Sequence, residues 1–163
     1  MSIVLARLDN RLLHGIVASM WTPRSGATRV MVIDDETAND PVKKDAMRMS
    51  KPAGTSLSII NQETAFGNFK IKKYDGQKVF VICNSPQIIL DLIKQGEKIG
   101  KLILGGSVTP GDEEKADYIK ASDRMYIKKS DVPVLKEIAA SGTEIVVQYV
   151  PVDSPVPMSK LHL

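Results

Sequence analysis

Short apolar runs rich in β-branched residues recur along the chain at fairly even spacing. They are "SIVLARL" (2–8), "TRVMVID" (28–34), "SLSII" (56–60), "KVFVIC" (78–83), "KLILGG" (101–106), "RMYI" (124–127) and "EIVVQYV" (144–150). Several are apolar without interruption, the pattern of strands buried on both faces of a parallel sheet. Helix-like segments separate them, at 15–23, 39–50, 62–69, 85–96 and 130–141. In "SPQIILDLIKQG", Ser85 fits an N-cap, Pro86 the first helical position and Gly96 the stop. "KKSDVPVLKEIAASG" repeats the device, with Ser130 or Asp131 as cap, Leu135 and Ile138 inward and Gly142 as stop. The alternation predicts an α/β fold: an open, mostly parallel sheet of about seven strands with helices on both faces. The stretch 107–123 reads as loop-rich, and "VPVDSPVPM" as a tail along or off the surface. Neither repeat nor linker interrupts the pattern, so one domain is expected over 1–163.

Composition narrows the function classes. Apolar content of 43% and charged content of 25% are those of a globular protein. The net charge of +3 comes from 22 basic and 19 acidic residues spread along the chain. Without a dense basic run, nucleic-acid binding is not expected. A mildly basic face suits an acidic protein partner or an anionic substrate instead. The single cysteine, Cys83, gives no internal disulfide and no metal cluster, which fits a reducing cytoplasm. No leader pattern opens the chain, and no apolar run approaches the ~20 residues of a membrane-spanning helix. The expectation is a soluble, cytoplasmic protein.

Candidate chemistry gathers at the carboxyl ends of the predicted strands, where ligands bind in open α/β sheets. Asp9, Asn10, Arg11 and His14 follow the first strand, and Asp34 and Asp35 the second. Asn84 and Ser85 follow the fourth, and Gly105 and Gly106 end the fifth. His14 immediately precedes a helix, so the backbone N–H groups of Gly15, Ile16 and Val17 would point toward its side chain. Such a helix start is an anion site. Arg11 adds a forked donor suited to phosphate oxygens. A carboxylate such as Asp9 could hold one imidazole N–H and leave the other nitrogen nucleophilic. These are the parts of a phosphoryl-accepting histidine, whose chemistry is positioning and charge neutralisation and requires no metal. On the residues alone, a hydrogen-bonded structural histidine or a surface histidine is the commoner description of such a position.

The stretch "RLDNRLLHGIVASMW" (7–21) resembles the active-site signature of the IIB component of the phosphoenolpyruvate:sugar phosphotransferase system, mannose/fructose/sorbose family. "VMVIDDETANDPVKKDAMRMSKPAG", "KLILGGSVTPG" and "GTEIVVQYVPVDSPV" extend the resemblance over nearly the whole chain. It implies a cytoplasmic phosphocarrier on a mostly parallel α/β sheet, with no cofactor. His14 would take a phosphoryl group on Nδ1 from a phosphohistidine of the IIA protein or domain. It would then pass the group to a sugar held by the membrane components IIC and IID. Arg11 matches the motif's second arginine and would stabilise the transferring group; Asp9 matches its aspartate and would orient the loop or the imidazole. Position 10, often Asp, is Asn10 here; position 16, usually Gln, is Ile16. The Ile16 change leaves the backbone N–H available and the nucleophile intact. A regulatory or anion-binding relative of the same fold, which does not pass phosphate to sugar, is the alternative.

Other residues compete for attention. Other IIB families carry phosphate on a cysteine, but Cys83 runs straight into a proline-started helix with no arginine nearby, as a buried strand cysteine does. His162 lies by the C-terminus, where chains fray. Trp21 shares a helical face with His14 and Val17 and is expected to anchor that helix in the core. Asp34 and Asp35 read as a helix start, with one of them lining the active-site cleft. Gly105 and Gly106 would let the strand end pass close beneath the His14 loop.

Overall fold

The computed structural model describes residues 2–163. Strands β1 (Ile3–Asp9), β2 (Arg29–Ile33), β3 (Ser56–Ile60), β4 (Val79–Cys83), β5 (Lys101–Gly106) and β8 (Glu144–Val147) pair in parallel, with the two-residue β9 (Val156–Pro157) antiparallel at one edge. The order is β3-β2-β4-β1-β5-β8-β9, so the sheet has seven strands and β1 runs through its middle. Its membership differs from the expectation in one respect. "RMYI" leaves the main sheet and forms β7 (Met125–Lys128), paired with β6 (Tyr118–Ser122) in a separate antiparallel hairpin. The hairpin lies in part within the stretch read as loop, because "YIKAS" carries too little apolar character to register as a strand.

Alternation of side chains divides the core into two layers. Met31, Val81, Leu102, Leu104 and Ile145 face helices α4 (Gln62–Lys70), α5 (Pro86–Lys94) and α6 (Val132–Ala140). Val30, Val32, Phe80, Ile82, Ile103 and Val146 face the segment that follows β1. That segment supplies Leu12, Leu13, Val17, Ala18 and Trp21 to the same layer, against which Met47 of α3 (Pro41–Met49) also packs. It contains a π-helical turn, Val17–Trp21, that runs into the short α1 (Thr22–Ser25). The chain leaving β1 covers one face, while α5 and α6, which follow the neighbouring strands, cover the other. The divergence opens a crevice at the carboxyl end of β1.

One further expectation is corrected, while the tail takes the first of its two expected courses. It runs along the surface, held there because Val156 pairs with Val147 and Gln148 Nε2 donates to the carbonyls of Pro151 and Asp153. Strand β8 ends at Val147 rather than at 150, because the carbonyls of Gln148 and Tyr149 are turned to a partner in the sheet's interior. Helix starts at Pro86 and Val132 hold as read, although neither Ser85 nor Asp131 makes a side-chain capping bond. Among the described residues, no helix is long and apolar enough to cross a membrane.

Candidate functional site

The site begins with the period of strand β1. Leu5, Arg7 and Asp9 share the face on which Leu5 joins the core layer beneath Trp21. Arg7 and Asp9 therefore point inward, and both are 0% exposed. A buried guanidinium must spend its donors. Arg7 Nε donates to Asp9 Oδ2 (3.2 Å), Nη1 to the Gln148 carbonyl (3.0 Å) and Nη2 to the Tyr149 carbonyl (3.0 Å). Its charged face also lies 5.2 Å from the Trp21 ring centroid. Burial lowers the Arg7 pKa from its usual value, against the opposing pull of Asp9.

Asp9 distributes its two oxygens among three groups. Oδ2 accepts from Arg7 and lies 3.0 Å from His14 Nε2; Oδ1 accepts the backbone N–H of Arg11 (3.0 Å). Because the carboxylate is an acceptor, Nε2 carries the imidazole proton. Nδ1 of a neutral ring is then left with its lone pair. The His14 side chain is 15% exposed, enough for its outer edge to meet another molecule.

The loop between Asp9 and His14 is held from below. Leu12 N–H donates to the Asp9 carbonyl (3.1 Å), and Leu12 adopts a left-handed φ of 59° that costs a non-glycine residue free energy. Burial of Leu12 and Leu13 in the core offsets that cost and fixes the turn. The helix starts at once: Ala18 N–H donates to the His14 carbonyl (2.9 Å), which leaves Gly15, Ile16 and Val17 as its first-turn donors. Asn10 and Arg11 lie on the exposed rim. Arg11 Nη2 donates to Tyr149 Oη (2.7 Å), with the guanidinium carbon 5.9 Å from the Tyr149 ring centroid.

The remaining candidates separate into those at the crevice and those elsewhere. Gly105, Gly106, Asn10 and Arg11 line a cleft of about 840 Å³ that reaches to Tyr149 and the β6–β7 hairpin. Asn84 lines an adjoining cleft of about 460 Å³ together with Asp9. Gly105 makes room for Arg7 rather than for the His14 loop as a whole: a Cβ there would fall 2.1 Å from the guanidinium carbon. Asp34 and Asp35 line neither of these clefts. Asp34 caps α2 (Asp35–Ala38), accepting from the Thr37 N–H (3.0 Å) and hydroxyl (2.6 Å), and Asp35 accepts from the Gln62 N–H (2.8 Å). Cys83 is fully buried, its Sγ–H donates to the Ser85 carbonyl, and burial pushes its thiol up to about 12. His162 is exposed.

Two site residues escaped the sequence reading. Arg7 was readable: a cation and an anion two apart on a strand otherwise buried on both faces point to an interior ion pair. Tyr149 gave no such signal, because its place depends on where β8 stops.

The fold and the site define an open parallel α/β domain that presents a carboxylate-oriented imidazole and an arginine at the rim of its central strand. A family model described as the PTS system sorbose subfamily IIB component matches residues 3–163, and the chain belongs to that family. The sorbose-specific EIIB component of Lacticaseibacillus casei is 29% identical over 153 residues, covering 94% of this chain and 90% of the relative. The mannose-specific EIIAB component of Escherichia coli (strain K12) is 28% identical over 161 residues, covering 99% of this chain and 48% of the relative. Among solved structures, the IIBSor domain of the sorbose permease from Klebsiella pneumoniae matches with a TM-score of 0.87 and 25% identity, covering 98% of this chain and 96% of that one. The protein is accordingly a sugar phosphotransferase IIB subunit, and the regulatory or anion-binding alternative is not favoured.

Proposed function

We propose that His14 is the phosphoryl carrier of this IIB subunit, acting through Nδ1. The observation that carries the reading is the 3.0 Å contact between Asp9 and Nε2, which directs the lone pair to the other ring nitrogen. In the loading step the Nδ1 lone pair forms a bond to phosphorus as the N–P bond of the donor phosphohistidine breaks. Nε2 keeps its proton, so the phosphorylated ring carries positive charge that Asp9 stabilises. In the unloading step a sugar hydroxyl oxygen takes the phosphorus, the Nδ1–P bond breaks and the hydroxyl proton goes to solvent. Arg11 neutralises the phosphoryl oxygens in both steps, with Asn10 and the N–H groups of Gly15, Ile16 and Val17 as further donors.

The donor in this reading is a IIA protein or domain, a pairing supported by the combined EIIAB relative. The acceptor is a sugar held by the membrane components IIC and IID. The residues act as one phosphocarrier domain on the cytoplasmic side.

The test is phosphotransfer from phosphoenolpyruvate through the general phosphotransferase proteins and a cognate IIA. Acid-labile label is expected on the wild type and on Cys83→Ala, and none on His14→Ala. Label that persists in His14→Ala would remove His14 from the role.

A further inference from the structure

We propose that Tyr149 is the positioning residue for Arg11, holding the guanidinium at the rim ready for the phosphoryl group. This rests on the reading of His14 as the carrier and extends it to the far end of the chain.

Arg11 is exposed, and a free arginine side chain at a surface samples many rotamers. Here the phenol restrains it at two points, by the 2.7 Å bond from Nη2 to Oη and by the approach of the guanidinium to the ring. The choice of a phenol has a chemical consequence. A carboxylate in the same place would orient the guanidinium but cancel its charge. Among the described residues, Arg11 has no carboxylate within ion-pair distance, so its full charge remains for an anionic ligand. Tyr149 orients without neutralising.

Tyr149 is itself fixed. Its carbonyl accepts from Arg7 Nη2 (3.0 Å) and from Trp21 Nε1 (2.9 Å). Arg7 is also the residue that holds Asp9, and Asp9 holds His14. The nucleophile and the phosphate-binding arginine are thus referenced to one buried guanidinium, His14 through Asp9 and Arg11 through Tyr149. Arg11 and Tyr149 line the same cleft, so the pair faces open space and not packed protein.

The experiment is rapid-quench phosphotransfer from phosphorylated IIA at saturating donor, on wild type, Tyr149→Phe, Arg11→Ala and the double variant. Tyr149→Phe is expected to slow loading of His14 about tenfold, the scale of losing one orienting contact. In the Arg11→Ala background the same substitution is expected to change nothing. A merely structural tyrosine would slow both backgrounds equally, and a drop in thermal midpoint would then accompany it. A wild-type rate in Tyr149→Phe, or an equal loss in both backgrounds, overturns the proposal while leaving His14 as carrier. Failure of the wild type to take label on His14 overturns the carrier reading and this one with it.

Discussion

The guanidinium of Arg7 fills the space that a side chain at Gly105 would need, with only 2.1 Å between a Cβ there and the guanidinium carbon. Neither group can retreat, since Arg7 is bonded to Asp9, Gln148 and Tyr149, and Gly105 is part of β5. Gly105→Ala should therefore destabilise the fold by about 3 kcal/mol, the upper range for overpacking a core. Urea denaturation measures it. A loss below ~0.5 kcal/mol would mean that the strand yields more easily than this packing implies.

Asp9→Asn should affect chemistry and stability together. An amide must present N–H to at least one of three donors, and if it faces His14 the imidazole proton moves to Nδ1. Loading of His14 should fall about a hundredfold or more. The buried Arg7 also loses its counter-charge, at a cost of about 3–5 kcal/mol. Single-turnover transfer at low temperature, where the variant remains folded, separates the two effects. A normal rate there would show that Asp9 does not set the tautomer.

Ile16→Gln should leave loading of His14 within about twofold of wild type. Only the backbone N–H of Ile16 points into the helix start, and its half-buried side chain packs beside the layer containing Val17. Initial rates from phosphorylated IIA measure it. A tenfold change in either direction would mean that the side chain at 16 touches the donor or the phosphate.

Cys83 yields a pH prediction with a definite sign. Its thiol titrates near 9.0 when unfolded and at about 12 when folded, burial being the largest cause. Below the unfolded value both states keep the proton and the contribution to stability is complete. As the pH rises from 9.0 toward about 12, only the unfolded thiol ionises and stability falls. The slope is about 1.4 kcal/mol per pH unit. Cys83→Ala should therefore lose stability less steeply than wild type between those limits, as measured by denaturation at several pH values. Parallel curves would show that the thiol is not held in its neutral form.

Much of the fold was legible because strands buried on both faces write themselves as continuous apolar runs, as "VFVIC" does at β4. Helix starts were legible where proline marks the first turn, at Pro86 and Pro133. The hairpin was obscured because Tyr118–Ser122 sends only Ile119 and Ala121 to the core, between polar or half-exposed neighbours, which is too short an apolar signal to mark a strand. At the site, Asp9 and His14 could be paired on paper, since both lie beside one short turn. Asp34 could not be assigned between cap and cleft until Thr37 was seen to take its carboxylate. Tyr149 depended on a strand end that no local pattern marks.

The bonds from Arg7 to the carbonyls of Gln148 and Tyr149 join positions 141 and 142 residues apart. Contacts of such separation form late, because closing a long loop precedes any return from it. The order of events during synthesis follows. His14 leaves the ribosome early, but its supporting frame stays incomplete until residue 149 has emerged and docked. A nascent or truncated chain therefore holds an unframed imidazole, and the buried support behind Asp9 and His14 arrives together with the closing of the sheet.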